Sequence, residues 1–129
     1  MRTYHAAVWL DHNEARIFHV EKGRFEEETI VPERPQRKLH RRAGPASVSG
    51  RRAVADTEYL HAIAKALEES QEILLMGPST AKLELVKFVH THYPSLVPRI
   101  LGVETVDHPS DRQIVAYSRA YFELDVAAE

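Results

Sequence analysis

Residues 34–52 are the most strongly basic part of the chain. They hold seven Lys or Arg residues, one His and no carboxylate, whereas the rest of the 129 residues holds ten Lys or Arg against nineteen Asp or Glu. A protein of net charge −2 with such a segment repels anions over most of its surface and attracts them at one place. The composition predicts binding of a polyphosphate backbone, with nucleic acid as the first candidate. A solvated, disordered linker of basic composition is the alternative interpretation.

Carboxylates near the ends of several predicted elements suggest a second hypothesis, which is that the protein carries out metal-dependent hydrolysis. A two-metal nuclease needs converging carboxylates that hold divalent cations about 4 Å apart. Acids stand near three of the four expected positions: Asp11, Glu58, and Asp107 or Asp111. The fourth position, after Met76, has none. The set is incomplete, and a divergent metal-dependent hydrolase that uses Asp11 with Asp107 or Asp111 stays open as an alternative function.

Three weaker signals favour structural interpretations. Residues 77–80 read Gly-Pro-Ser-Thr, which can cradle a phosphate at a helix start, but the Walker lysine spacing is missing and a tight turn with an N-cap is favoured. His90 and His92 are two apart on a helix and face different directions, so we predict no metal site. Ser47 and Ser49 have no orienting acid or oxyanion hole that would support serine catalysis. We expect no cofactor.

Composition also limits the cellular setting. The chain has no Cys, which excludes disulfides and thiolate chemistry and is compatible with a reducing compartment. Its apolar runs, such as residues 6–10 and 73–76, are too short to span a bilayer. We therefore expect a cytoplasmic protein with no membrane partner.

Five segments are typical of β-strands. Residues 5–11 and 15–20 flank a polar turn and predict a hairpin, and the second of them alternates cleanly between apolar and polar positions. Residues 25–31 are followed directly by Pro32, and this segment suits a strand at the edge of a sheet. Residues 72–77 form a continuous apolar run, which is typical of a strand buried on both faces, and residues 99–106 supply the fifth strand.

Three segments have helical periodicity. Leu60, Ile63, Ala64 and Leu67 fall at i, i+3, i+4 and i+7, so a first helix is expected from Asp56 or Thr57. A second helix follows Thr80 and ends at Pro94, with its core face at Leu85, Phe88 and Val89. A last helix begins at a capping box, Ser110 to Gln113, and its expected apolar face is Ile114, Tyr117, Tyr121 and Phe122.

The resulting order is β-β-β-α-β-α-β-α, in which crossover helices make the later strands parallel to the sheet centre. This is the order of the ribonuclease H-like α/β fold, a five-stranded mixed sheet with flanking helices. At this length we expect a single domain over residues 1–129, with a basic flexible loop at about 33–54.

Three stretches, residues 7–20, 72–89 and 100–109, carry a resemblance to a known group. They resemble the middle domain of the eukaryotic and archaeal class-1 peptide release factors and Pelota, and in particular small bacterial proteins similar to it, often described as translational machinery proteins. The resemblance covers most of the chain and implies a ribonuclease H-like fold without its metal site.

The resemblance also allows the catalytic loop of the release factors to be compared with this sequence. In release factors, the loop between the third strand and the first helix carries a Gly-Gly-Gln tripeptide, whose Gln positions water at the ester of peptidyl-tRNA. Only Gly44 matches here, and the Gln position is Pro45, which has neither a side-chain amide nor a backbone N–H. We therefore expect no catalytic residue and no enzyme activity of that kind.

The function expected from the sequence is that of a non-catalytic, translation-associated factor. It would bind ribosomal RNA or tRNA through phosphate contacts, with the ribosome or tRNA as its partner. The expected RNA-binding residues are Arg37, Lys38, Arg41, Arg42, Arg51 and Arg52. A protein-interaction module that docks the same basic loop on an acidic partner remains a further alternative.

Overall fold

The fold is described from a computed structural model of the chain, which describes residues 4–32 and 57–124. Its elements follow the order β1, β2, β3, α1, β4, α2, a 3-10 helix, β5 and α3. The strands are β1 His5–Leu10, β2 Ala15–Val20, β3 Phe25–Ile30, β4 Glu72–Gly77 and β5 Ile100–Thr105. The helices are α1 Thr57–Ala66, α2 Ala81–His92, the 3-10 helix Pro94–Arg99 and α3 Asp111–Tyr121.

The strands form one mixed sheet in the order β3-β2-β1-β4-β5. The β1 and β2 strands and the β2 and β3 strands pair antiparallel, whereas β4 is parallel to both β1 and β5. The α/β fold class expected from the sequence is confirmed, as is the position of β3 at one edge of the described sheet.

The central strands are apolar because both of their faces are covered. On one face, β1 and β4 pack against α1 and α2, with Leu60, Ile63 and Leu85 fully or almost fully buried. On the other face, α3 covers Trp9 and Phe18. Two core layers therefore hold the sheet between one helix and a pair of helices.

The predicted apolar face of α3 is wrong at one position. Tyr117 is exposed, and the buried residues of the helix are Ile114, Val115 and Ser118. The hydroxyl of Tyr117 donates to the Glu104 carboxylate on β5. Because β5 lies at an edge of the described sheet, a tyrosine on this side of α3 covers polar groups and not the core.

A close backbone approach fixes the end of β4. A Cβ placed on Gly77 would lie 2.2 Å from the carbonyl oxygen of Leu10 on β1. Only glycine fits between these two central strands without a backbone shift.

Among the described helices, none is both long enough and apolar enough to cross a membrane.

Candidate nucleic-acid interface

The six basic residues expected to bind RNA lie outside the described residues, so they stay predictions. These residues are Arg37, Lys38, Arg41, Arg42, Arg51 and Arg52. The structure does describe the two points from which their segment is held. Before this segment the chain leaves the sheet after β3 at Pro32, and after it the chain enters α1 at Thr57.

Both attachment points lie at the edge of the sheet where β1 and β4 end, which we call the carboxyl edge. Leu10 pairs with Ala15, and Ala15 pairs with Ile30, so the ends of β1 and β3 are two strand spacings, or about 10 Å, apart. The start of α1 is tied to the same edge because the Tyr59 hydroxyl donates to the Asp11 carbonyl at 2.9 Å. Burial raises the pKa of Tyr59, which keeps this donor protonated.

Three helices begin at the carboxyl edge. The α2 helix follows β4 after Gly77, α3 follows β5, and α1 begins beside Asp11. The first N–H groups of each helix carry a partial positive charge and attract anions. At the start of α2, Thr80 makes no side-chain cap, and the buried Ser79 hydroxyl has no hydrogen-bond partner among the described residues.

Asp11, the first acid of the hydrolase hypothesis, organises a turn. Its Oδ1 accepts hydrogen bonds from the backbone N–H groups of Asn13 at 2.8 Å and Glu14 at 2.9 Å. Its Oδ2 lies 3.9 Å from Nε2 of His108. The carboxylate therefore holds the β1–β2 connection in place.

Asp107 and His108 also lie at the carboxyl edge, where both contact Trp9, the only tryptophan in the sequence. The Trp9 indole donates to the Asp107 carbonyl at 2.8 Å, and the His108 ring lies 5.1 Å from the Trp9 ring between centroids. The Asp107 carboxylate lies 3.2 Å from Nδ1 of His108. This contact between adjacent residues is largely exposed.

Asp111 is engaged by an arginine. Nη1 of Arg16 lies 2.6 Å from Oδ1 of Asp111, and Nη2 donates to the Pro109 carbonyl at 3.3 Å. The guanidinium also lies 4.6 Å from the centroid of the Trp9 ring. The pKa of the Glu27 carboxyl on β3 is raised. Burial is the largest cause, and the negative charge of Asp111 and a hydrogen bond between the two side chains add to it.

The expected acids thus have structural partners at this edge. Glu58 lies in the first turn of α1, where it is exposed. Over residues 4–32 and 57–124, no group of three or more His, Asp or Glu side chains is arranged to hold a metal ion. These contacts do not test hydrolase activity, so the hydrolase hypothesis awaits an assay.

One surface feature was not anticipated from the sequence. Four rings from α1 and from the end of α2 form a contiguous set, which we call the aromatic cluster: His61, Phe88, His92 and Tyr93. The Phe88 and His92 rings are 4.5 Å apart between centroids, and the Tyr93 hydroxyl lies 3.0 Å from Nδ1 of His61. The i, i+4 spacing of Phe88 and His92 is the signal that sequence reasoning could have used.

An acidic cleft occupies the opposite end of the sheet. Its volume is about 710 Å³, and it is formed by the β2–β3 connection, β3 and the end of α1. Six glutamates line it against one Arg, one Lys and one His: Glu21, Glu26, Glu27, Glu28, Glu68 and Glu69. The cleft repels a polyanion, so charge favours an approach to the carboxyl edge.

Solved structures similar to the chain share its fold. Pelota from Archaeoglobus fulgidus matches 99% of the chain at a TM-score of 0.64 and 15% identity. The fold is Pelota-like. The archaeal translation termination factor aRF1 matches 96% at a TM-score of 0.60 and 14% identity, and Dom34 from S. cerevisiae matches 96% at 0.54 and 12%. At these identities the likeness establishes the fold alone.

The matched region is part of each larger protein. The chain spans 35% of the length of the Archaeoglobus Pelota, 37% of aRF1 and 35% of Dom34. No model of a known protein family matches the sequence, and no curated protein matches it. The release-factor and Pelota resemblance inferred from the sequence is thus confirmed at the level of the fold.

Proposed function

We propose that this protein is a non-catalytic, cytoplasmic translation factor that binds ribosomal RNA or tRNA at the carboxyl edge of its sheet. The phosphate contacts come from the basic residues of the segment between β3 and α1: Arg37, Lys38, Arg41, Arg42, Arg51 and Arg52. They supply charge and position the RNA without reading its sequence.

One observation carries the proposal. The basic segment is attached at both ends to the edge where three helices begin, whereas the acidic cleft lies at the opposite end. Charge therefore orients the domain on a polyanion, with the carboxyl edge towards the phosphates. Two of the carboxylates at that edge are partly offset, because Asp111 is paired with Arg16 and Asp11 accepts two backbone hydrogen bonds.

The fold supports the link to translation. The structures with this fold include a translation termination factor, aRF1, and Dom34, which is described as a termination-like factor involved in RNA quality control and interacting with Hbs1. Because the chain corresponds to about a third of each, we carry over an association with the translation apparatus and not the activity of a whole factor. Pro45 in the place of a catalytic Gln argues against ester hydrolysis.

A filter-binding titration of RNA against salt tests the proposal. Six phosphate contacts predict that the logarithm of the binding constant falls with the logarithm of salt at a slope of about −4 for single strands. Replacement of Arg41 and Arg42 by Ala should flatten that slope by at most about two units. The matched control, R41K/R42K, keeps both charges and should keep the slope.

The outcomes separate the alternatives. Salt-dependent binding that R41A/R42A weakens and R41K/R42K retains supports the proposal. An absence of RNA binding at low salt contradicts it. Capture of an acidic protein that RNA does not displace would favour the protein-interaction module instead.

A further inference from the structure

We propose that the outer edge of β3 and the acidic cleft beside it bind an extended basic peptide of a partner protein. The peptide adds to the described sheet as a further strand, and its Lys or Arg side chains lie in the cleft. This inference goes beyond the proposed function, because it concerns the edge strand and the cleft and does not depend on RNA binding.

The backbone of β3 presents hydrogen-bonding groups on its outer side. Among the described strands, only β2 pairs with β3. The Glu21 N–H donates to the Arg24 carbonyl at 2.9 Å, and bonded and non-bonded residue pairs alternate along an antiparallel ladder. The backbone groups of Phe25, Glu27 and Thr29 therefore point away from β2. Such N–H and C=O groups are a template for one more strand.

The two faces of β3 differ in chemistry because side chains alternate along a strand. Ile30 packs against the core under α1 and α2, so Glu26 and Glu28 lie on the same face as Ile30 and line the cleft. On the opposite face, the Phe25 and Phe18 rings are 6.1 Å apart between centroids, and Phe25 remains 43% exposed. An added strand would meet carboxylates on one face and an aromatic ring on the other.

The charge of the cleft selects a cationic ligand. Its six glutamates outnumber the three lining residues that can carry positive charge, which are Arg24, Lys65 and His19. Nε of Arg24 lies 3.4 Å from the Glu21 carboxylate, and Nε2 of His19 lies 3.8 Å from the Glu28 carboxylate. These contacts leave an excess of negative charge, which attracts a cation. The volume of about 710 Å³ has room for several side chains.

Charge complementarity and the strand edge together specify the occupant. In an extended peptide, basic residues at every second position place all their charges on the cleft face, and apolar residues between them lie on the Phe25 face. Six residues match the length of β3. The expected ligand is thus a segment that alternates Lys or Arg with apolar residues.

Fluorescence anisotropy on the full chain tests the inference with a labelled Lys-Val-Lys-Val-Lys-Val peptide. The control peptide has the same composition in the order Lys-Lys-Lys-Val-Val-Val. Wild type should bind the alternating peptide at least about fivefold more tightly, because only that order places three charges on the cleft face of an added strand.

Methylation of backbone nitrogens in the peptide tests the strand pairing. One alternating peptide is N-methylated at its three Lys residues, and a second at its three Val residues. In an extended strand only one of these two sets of N–H groups faces β3. One methylated peptide should therefore lose about tenfold or more in affinity, and the other should bind as the unmodified peptide does.

Two double variants test the role of charge in the cleft. E26Q/E28Q removes the two β3 carboxylates on the cleft face and should weaken binding of the alternating peptide about fivefold. The matched control, E104Q/E123Q, removes two charges outside the cleft, since Glu104 lies on β5 at the other edge of the described sheet and Glu123 follows α3. It should leave the affinity unchanged.

Four results would overturn the inference. They are no binding of the alternating peptide by wild type, equal binding of the alternating and block peptides, binding of both methylated peptides, and equal losses in E26Q/E28Q and E104Q/E123Q. Each of them leaves the proposed function standing, because that function is tested separately by the RNA titration.

Discussion

Arg16 on β2 and Asp111 at the start of α3 join the sheet to the last helix. Their Nη1 and Oδ1 atoms lie 2.6 Å apart, although the residues are 95 positions apart in the sequence. The side chain of Arg16 is only 15% exposed, and its guanidinium also covers the Trp9 ring. One arginine thus fixes the position of α3 at the carboxyl edge.

Replacement of Arg16 by Ala should lower the free energy of unfolding by about 1–2 kcal/mol. The variant loses a charge-assisted hydrogen bond and a cation–π contact, and the partly exposed pair limits the loss. R16K keeps the charge but not the planar fork, so an intermediate loss is expected. Denaturant unfolding followed by Trp9 fluorescence measures both, and a loss in R16K equal to that in R16A would show that charge contributes little.

Glu27 makes stability depend on pH. Its pKa in the folded protein is raised, so the folded state binds more protons than the unfolded state while this group titrates. Its contribution to stability is therefore greatest below the unfolded pKa and is lost as the pH rises through the folded pKa. E27Q should raise the Tm relative to wild type at pH 7 more than at pH 4.

Glu26 serves as the control for that experiment. It is adjacent on β3 but its side chain lies on the opposite face of the sheet, away from Asp111. E26Q should not reproduce the pH-dependent difference. Equal pH profiles for E27Q and E26Q would contradict a specific effect of the Glu27–Asp111 contact.

Gly77 should be the glycine least tolerant of substitution in the described sheet. In G77A, the new Cβ would lie 2.2 Å from the Leu10 carbonyl oxygen, and both strands are central and cannot easily separate. A loss of about 2–3 kcal/mol is expected from this overpacking. G102A is the comparison, since its Cβ would meet the hydroxyl end of the Tyr121 side chain, which can rotate away. Thermal unfolding should rank G77A well below G102A, and the reverse order would refute the steric account.

The element order could be predicted because the hydrophobic period changes along the chain. The alternation over Ala15–Val20 fell on β2, which lies between β3 and β1, and the continuous apolar run fell on β4, which lies between β1 and β5. Tyr117 was misplaced because a tyrosine in an apolar stripe can cover an edge strand as well as a core. Periodicity reports which face of a helix is apolar and says little about which part of the sheet that helix covers.

The site was only partly predictable for a different reason. The Arg16–Asp111 and His61–Tyr93 contacts depend on how each helix sits over the sheet, and no local pattern encodes this position. The clustering of acids at the strand ends was visible in the sequence, but their hydrogen-bond partners were not. The basic residues lie outside the described part of the chain, so their role stays a prediction.

The hydrolase alternative and the proposed binding function predict different effects of replacing Asp11. We expect wild type not to cleave RNA in Mg²⁺ or Mn²⁺, and D11N to bind RNA as wild type does. The Asn side-chain oxygen can still accept the turn hydrogen bonds that Asp11 now accepts. Metal-dependent cleavage that D11N abolishes, measured on a labelled oligonucleotide, would instead support the hydrolase.

Co-sedimentation with ribosomes at low and moderate salt tests the central claim most directly. Wild type is compared with a variant in which Arg37, Lys38, Arg41, Arg42, Arg51 and Arg52 are all Ala, and with one in which the five arginines are Lys. The account predicts salt-sensitive pelleting of wild type and of the lysine variant, and loss of pelleting in the alanine variant. Failure of wild type to pellet at low salt, or equal pelleting of the alanine variant, would contradict it.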